Sequence, residues 1–175
     1  MRSLREHGFN FRLLDKNKFN YDVKFPGFNF RLSELNCGLG ISQLSRLNKI
    51  VKKRQILAKN YDHLLKNFKE VSIPLKFKNK KNSYHLYPIR INFKKYKINK
   101  IDFIKNLENK FSISVQVHYK PTYKFKLYKN YKKINKNFIN TESFYSQTIS
   151  IPLYLSLSLK KQKYIVNSIK KCLKK

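Results

Sequence analysis

The chain has 175 residues, 41% of them hydrophobic, with 14 Phe and 12 Tyr, which supports one folded domain with a real core and argues against disorder throughout. Its formal net charge of +31, from 40 Lys and Arg against 9 Asp and Glu, first suggests a nucleic-acid or anionic-surface partner. That partner is disfavoured because arginine occurs only at Arg2, Arg5, Arg12, Arg31, Arg46, Arg54 and Arg90. The lysines are scattered among Asn, Ile, Phe and Tyr, residues with A/T-rich codons, whereas base-reading surfaces favour bidentate arginines on one face.

Residues 1–32 hold no sustained periodicity and carry the turn-forming Pro26-Gly27 between aromatics, so they are read as a connector. Residues 33–68 are read as one long helix, because Leu35, Leu39, Leu44, Leu47, Val51, Leu57, Tyr61, Leu64 and Leu65 recur at helical spacing. Gly38 and Gly40 lie inside that pattern at a cost of about 1 kcal/mol each, which predicts close packing or a break there.

Residues 69–175 are read as a small α+β domain. Val71 to Ile73 is a short apolar run, Phe77 to Asn82 a lysine-rich loop, and Tyr84 to Phe93 an alternating strand with Arg90 and Asn92 on its polar side. Pro88 confines the start of that strand to an edge or an end. A helix capped by Asn99 carries Ile101, Ile104, Leu107 and Phe111, and Ile113 to Val117 is expected to be a strand that stops at Pro121. The Lys/Tyr/Asn tract at 123–137 has little periodicity. A short helix at 141–147, a strand at Ile149 to Pro152 and a last helix after Ser158 follow. The order predicts an α/β arrangement, a small sheet with helices on one face.

Cys37 and Cys172 show neither CxxC nor metal-ligand spacing, so no disulfide framework and no metal site is expected. No apolar run reaches the roughly 20 residues of a membrane span, and the first residues lack the apolar core of a signal peptide, so a soluble cytoplasmic protein is expected. Phosphate-loop, HExxH and GxSxG signatures are absent.

Three segments carry polar groups beyond structural need. In Gly27 to Glu34, Asn29 and Arg31 alternate with Phe28 and Phe30 before a helix start; they either hold a phosphate beside the helix N-terminus, or form a staple in which the rings pack and Asn29 caps. His85, among tyrosines at a strand start, is either a hydrogen-bonded structural residue or a catalytic one. Gln116-Val117-His118-Tyr119-Lys120, at a strand end before Pro121, offers donors for a sugar or diphosphate, or is an ordinary polar turn.

Taken with Leu4-Arg5-Glu6-His7-Gly8, Gly40 to Leu44, His85 to Ile89, Phe144-Tyr145 and Ile149 to Pro152, these segments resemble in order and spacing the C-terminal half of the DegT/DnrJ/EryC1/StrS aminotransferases. Within that family Val117 to Pro121, followed by Tyr123, Phe125 and Tyr128, is most similar to the members of pseudaminic acid synthesis. The resemblance implies the C-terminal small domain of a fold-type I enzyme, with a long connecting helix and a small, mostly antiparallel sheet. It implies a pyridoxal 5'-phosphate cofactor and transfer of an amino group from glutamate to a UDP-linked 4-keto-6-deoxy sugar. It also implies a homodimer, in which Asn29 reaches the partner subunit's site while Gln116, Val117, His118 and Tyr119 bind substrate.

Arg31, His85 and Lys120 are additional candidates. The lysine that holds the cofactor is expected in a large N-terminal domain upstream of this chain. No catalytic residue is therefore assigned here, and the chain alone is expected to be inactive. Two departures stand out: Gly38 replaces a small alanine, and Asn109 to Ser112 lacks the usual glycine, so Asn109 is expected to take any left-handed conformation. The competing reading is a basic module for nucleic acid or an anionic surface.

Overall fold

The structure, a computed structural model, describes residues 2–8, 23, 25–75, 81–128 and 138–173. It divides into two compact units, Met1–Leu47 and Asn48–Lys175. The first holds the short helix α1 (Arg2–Arg5) and the beginning of the long helix α2 (Glu34–Leu65). At 32 residues, α2 spans about 48 Å at 1.5 Å per residue. Ser33 starts it: its hydroxyl accepts the Asn36 N–H at 3.4 Å and its carbonyl the Cys37 N–H at 2.9 Å. Asn29 therefore caps nothing, and the staple reading fails on that point.

The glycine expectation also fails. Helix α2 runs unbroken through Gly38 and Gly40, and a Cβ built on either meets nothing within 4 Å. Leu35 and Leu44 on the same half are 84% and 69% exposed.

The second unit contains β1 (Val71–Ser72), β2 (Tyr87–Ile91), α3 (Lys100–Phe111), two 3₁₀ turns (Thr122–Lys124 and Lys126–Tyr128), α4 (Ile139–Gln147), β3 (Thr148–Ile151) and α5 (Leu159–Leu173). The sheet is antiparallel in the order β1-β2-β3, with Ser72 opposite Arg90, Pro88 opposite Ser150 and Ile89 opposite Ile149. Residues opposite one another share a face. Val71, Tyr87, Ile89, Ile91, Ile149 and Ile151 thus line the apolar face, while Ser72, Arg90, Thr148 and Ser150 line the other.

The apolar face is sealed by Leu57, Tyr61 and Leu65 of α2, Phe103 and Leu107 of α3, and Ile165, Val166 and Ile169 of α5. Each fully buried aliphatic or aromatic side chain contributes about 1.5–3 kcal/mol. One buried polar group ties two of these helices: Gln162 Nε2 donates to the Leu57 carbonyl at 2.9 Å and Oε1 accepts from Asn60 at 3.1 Å. Tyr61 and Tyr87 stack obliquely at 5.0 Å, and their hydroxyls donate to the Pro152 carbonyl and to Asp62. Burial pushes both phenol pKa values up.

Asn99 caps α3 as expected, its Oδ1 accepting from the Ile101 and Asp102 N–H groups. The left-handed residue after α3 is Ser112 (φ 54°), not Asn109, which stays helical. This geometry lets the Ser112 N–H reach the Glu108 carbonyl and the Ile113 N–H the Leu107 carbonyl, both near 3 Å, before Ile113 enters the core.

The expected strand at Ile113 to Val117 is replaced by a single antiparallel bridge between Gln116 and Ser150. Neighbouring groups of β3 explain why the ladder stops there. The Thr148 N–H is spent on the Phe144 carbonyl at the end of α4, and Pro152 has no N–H to offer.

The same geometry accommodates Pro88 in the middle strand. Ser150 directs both its backbone groups to Gln116, so the Ser150–Pro88 pair needs no bond from proline, and β1 reaches only Arg90 and Ile91 on the other side. Of the lysine-rich loop expected at Phe77 to Asn82, residues 77–80 lie outside the described residues, as does 129–137 of the Lys/Tyr/Asn tract. Among the described residues no helix is long and apolar enough to cross a membrane, and no cluster of His, Cys, Asp and Glu is suited to a metal.

Candidate functional site

The polar face of the sheet positions the segment 116–120. Gln116 is fixed by two backbone bonds, its N–H to the Ser150 carbonyl (3.1 Å) and the Ser150 N–H to its carbonyl (2.7 Å). Two residues on, His118 Nδ1 lies 2.9 Å from the buried Ser150 hydroxyl. Ser150 thus holds both the main chain and the imidazole, leaving Nε2 as the other ring nitrogen. The His118–Tyr119 peptide is cis, and the two rings meet edge-on at 4.7 Å. Tyr119 is 73% exposed, Gln116 and Lys120 are exposed, and Val117 packs against the core. An exposed amide, phenol and ammonium with a half-buried imidazole, in five residues, give donors and acceptors suited to a sugar or diphosphate.

The chain after Lys120 is anchored as well. Glu142 of α4 accepts from the Tyr123 hydroxyl at 2.7 Å and pairs with Lys124, contacts that hold its carboxyl below the usual range. Tyr123 stacks on Phe138 at 4.8 Å. Neither Ser150 nor Glu142 was a candidate from sequence; the signal for Ser150 was a polar residue between two isoleucines in a strand.

His85 is not part of this segment. It precedes β2, β3 lies between it and Gln116, and its described role is a main-chain one: the Arg54 guanidinium donates to the Tyr84 and His85 carbonyls at 3.2 and 3.4 Å.

In the first unit, Glu6 bridges to Asn29, and the His7 and Phe28 N–H groups bond to the Phe28 and Leu4 carbonyls. Two glycines permit this approach: a Cβ on Gly8 (φ 83°) would collide with the Phe25 carbonyl, and one on Gly27 with the backbone of His7 and Gly8. Phe28 and Phe30 stack at 4.8 Å, as expected from their alternation with Asn29 and Arg31. Arg31 Nε donates to Glu6 at 2.8 Å, and this bond holds the Glu6 carboxyl below its ordinary range. Arg31 is thus committed within the chain, while Asn29 has an exposed side chain.

Pyridoxal phosphate needs an amine free to form a Schiff base and an acid facing the pyridine nitrogen. Lys100 is half-buried, and burial lowers its pKa to about 8. Its Nζ, however, donates to the Tyr145 carbonyl at 2.6 Å and lies 5.1 Å from the Tyr145 ring centre, closed between α3 and α4. A lysine so committed does not fit the role.

The long helix α2, leading into a small antiparallel sheet packed on one face by helices, is an architecture shared with solved aminotransferase structures. The solved structure of Helicobacter pylori PseC, an aminotransferase involved in the biosynthesis of pseudoaminic acid, superposes with a TM-score of 0.80 at 34% identity, covering 98% of this chain and 44% of that one. The UDP-4-amino-4,6-dideoxy-N-acetyl-beta-L-altrosamine transaminase of Campylobacter jejuni is 36% identical over 173 residues, 98% of this chain and 44% of its own length. The H. pylori transaminase of the same name is 34% identical over 171 residues. The model of the DegT/DnrJ/EryC1/StrS aminotransferase family matches residues 1–170, and the chain belongs to that family. It spans 44% of the length of these curated relatives.

Proposed function

We propose that the chain is the substrate-contacting C-terminal part of a pyridoxal-phosphate-dependent aminotransferase that moves an amino group from glutamate to a UDP-linked 4-keto-6-deoxy sugar, in the cytoplasm. The observation that carries this reading is 36% identity across 98% of the chain to a UDP-sugar transaminase. Gln116, His118 and Tyr119 meet the sugar nucleotide, Val117 seats that segment on the core, and Lys120 faces the diphosphate. Asn29 serves the partner subunit's site in a homodimer, with Arg31 positioned by Glu6. Cofactor binding falls to a large domain corresponding to the remaining length of the relatives. The cofactor supplies the electron sink for amino transfer; this chain's residues orient the sugar.

The test co-expresses the chain with the cofactor-binding half of the C. jejuni transaminase and follows glutamate-dependent amination of the UDP-4-keto sugar by mass spectrometry. Activity is expected only from the pair. Gln116→Ala and His118→Ala should each lower kcat/KM by about tenfold or more. Saturation-transfer NMR with the UDP-sugar on the chain alone gives an independent readout. Turnover by the isolated chain, or UDP-sugar contacts unchanged by both variants, would overturn the assignment.

A further inference from the structure

On the polar face of the sheet, away from the Gln116 edge, β1, the 93–97 turn and the end of α4 enclose a cleft of about 330 Å³, at the lower end of small-ligand sites. Its cations are Lys69, Arg90 and Lys95, and Glu70 is the one carboxylate of its lining. Strand register puts Ser72 beside Arg90. Both Nη2 hydrogens of Arg90 go to neutral acceptors, Ser143 Oγ at 3.3 Å and Gln147 Oε1 at 3.1 Å. These bonds orient the guanidinium without neutralising it, and among the described residues no partner takes the Nε and Nη1 donors. The turn bearing Lys95 is fixed by its N–H bond to Asn92 Oδ1 at 3.1 Å. Among the described residues no carboxylate lies within ion-pair distance of Lys69, Arg90 or Lys95.

We propose that this cleft is a second ligand site that binds a small phosphate-type anion, with Arg90 as the oriented fork and Lys69 and Lys95 as flanking charges. A concave polar wall focuses the field of the three cations, and a guanidinium held by neutral partners matches phosphate oxygens better than a free lysine does. The Gln116–Tyr119 segment stands at the opposite edge of the sheet, beyond β3, so this site does not rest on the aminotransferase reading.

Isothermal titration of the full chain with inorganic pyrophosphate at 100 mM salt tests the proposal, with ADP as a second arm. Saturable binding is expected, weakened about tenfold or more in Lys69→Gln/Lys95→Gln and in Arg90→Gln. Those two lysines are exposed, so the double variant keeps the fold even if loss of Arg90 loosens α4. Lys160→Gln/Lys163→Gln on α5 removes the same charge outside the cleft and should bind as wild type. Equal weakening in that control, or no saturable binding, overturns the proposal. ADP binding no tighter than pyrophosphate identifies the free anion as the ligand; markedly tighter binding, lost in the same cleft variants, identifies a nucleotide-borne phosphate.

Discussion

Replacing Ser150 with alanine separates the two ways in which this residue holds the segment 116–120. The hydroxyl contacts His118 Nδ1 at 2.9 Å, whereas the bridge to Gln116 uses only main-chain groups. A net hydrogen bond is worth about 0.5–1.5 kcal/mol. His118 is half-exposed, so water can replace the lost partner, and the stability change should fall near about 0.5–1 kcal/mol. For a chain of this size that lowers Tm by roughly 1–4 °C. The larger effect is on orientation: a ring held by about 1 kcal/mol loses roughly a fivefold preference for one setting, so UDP-sugar binding should weaken about two- to fivefold. Long-range 15N NMR of the imidazole should show one tautomer in the wild type and a mixture in Ser150→Ala. Hydrogen exchange at the Gln116 amide should stay slow in both. An unchanged tautomer would refute the role of the hydroxyl, and fast exchange at Gln116 would show that the strand, not the ring, had been released.

Three further outcomes follow from the geometry. Gln162→Leu removes two hydrogen bonds in a fully buried site and strands the Asn60 amide, so chemical denaturation should show a loss of about 2–3 kcal/mol; a loss under about 0.5 kcal/mol would contradict the assigned link between α2 and α5. Ser112→Gly should stabilise by about 1 kcal/mol in the same assay, because glycine adopts φ 54° without the Cβ penalty, and a destabilising result would argue against that backbone. Lys100 should titrate near 8 by heteronuclear NMR of its Nζ. Because the unfolded lysine keeps its proton up to about 10.5, stability should rise with pH between these values, and Lys100→Met should abolish that rise. Titration near 10.5 would refute the burial.

Elements whose signal is local were legible from the sequence. Asn99 announced α3 because a capping side chain acts on the two N–H groups beside it, and Pro88 announced the start of β2, where β1 no longer pairs, because proline cannot donate. The strand expected at Ile113 to Val117 was not correctly read, since its pairing depends on what remote partners have left to give: Thr148 spends its N–H on α4 and Pro152 has none. The left-handed residue was displaced from Asn109 to Ser112 because α3 runs three residues longer than the asparagine preference suggests. Gly38 and Gly40 signalled a need for small residues, yet they face open space, so nothing within the described chain explains them. The segment 116–120 stands out as a candidate by residue type alone; the serine that holds it does not, because a hydroxyl between isoleucines reads equally well as a tolerated strand residue.

One register places both Arg90 and His118 on the polar face. Pairing of Ser72 with Arg90 and of Arg90 with Thr148 sets the row that orients the guanidinium toward α4, and pairing of Pro88 with Ser150 and of Ser150 with Gln116 sets the row that carries His118. A one-residue slip of β3 would exchange its faces, sending Ser150 into the space now filled by Ile149 and Ile151. Such a slip would bury an unpaired hydroxyl, expose two isoleucines and release His118 at once. The isoleucines that seal the core therefore also fix where the imidazole stands, and any core substitution that loosens β3 should weaken the Ser150–His118 contact in proportion to its effect on this register.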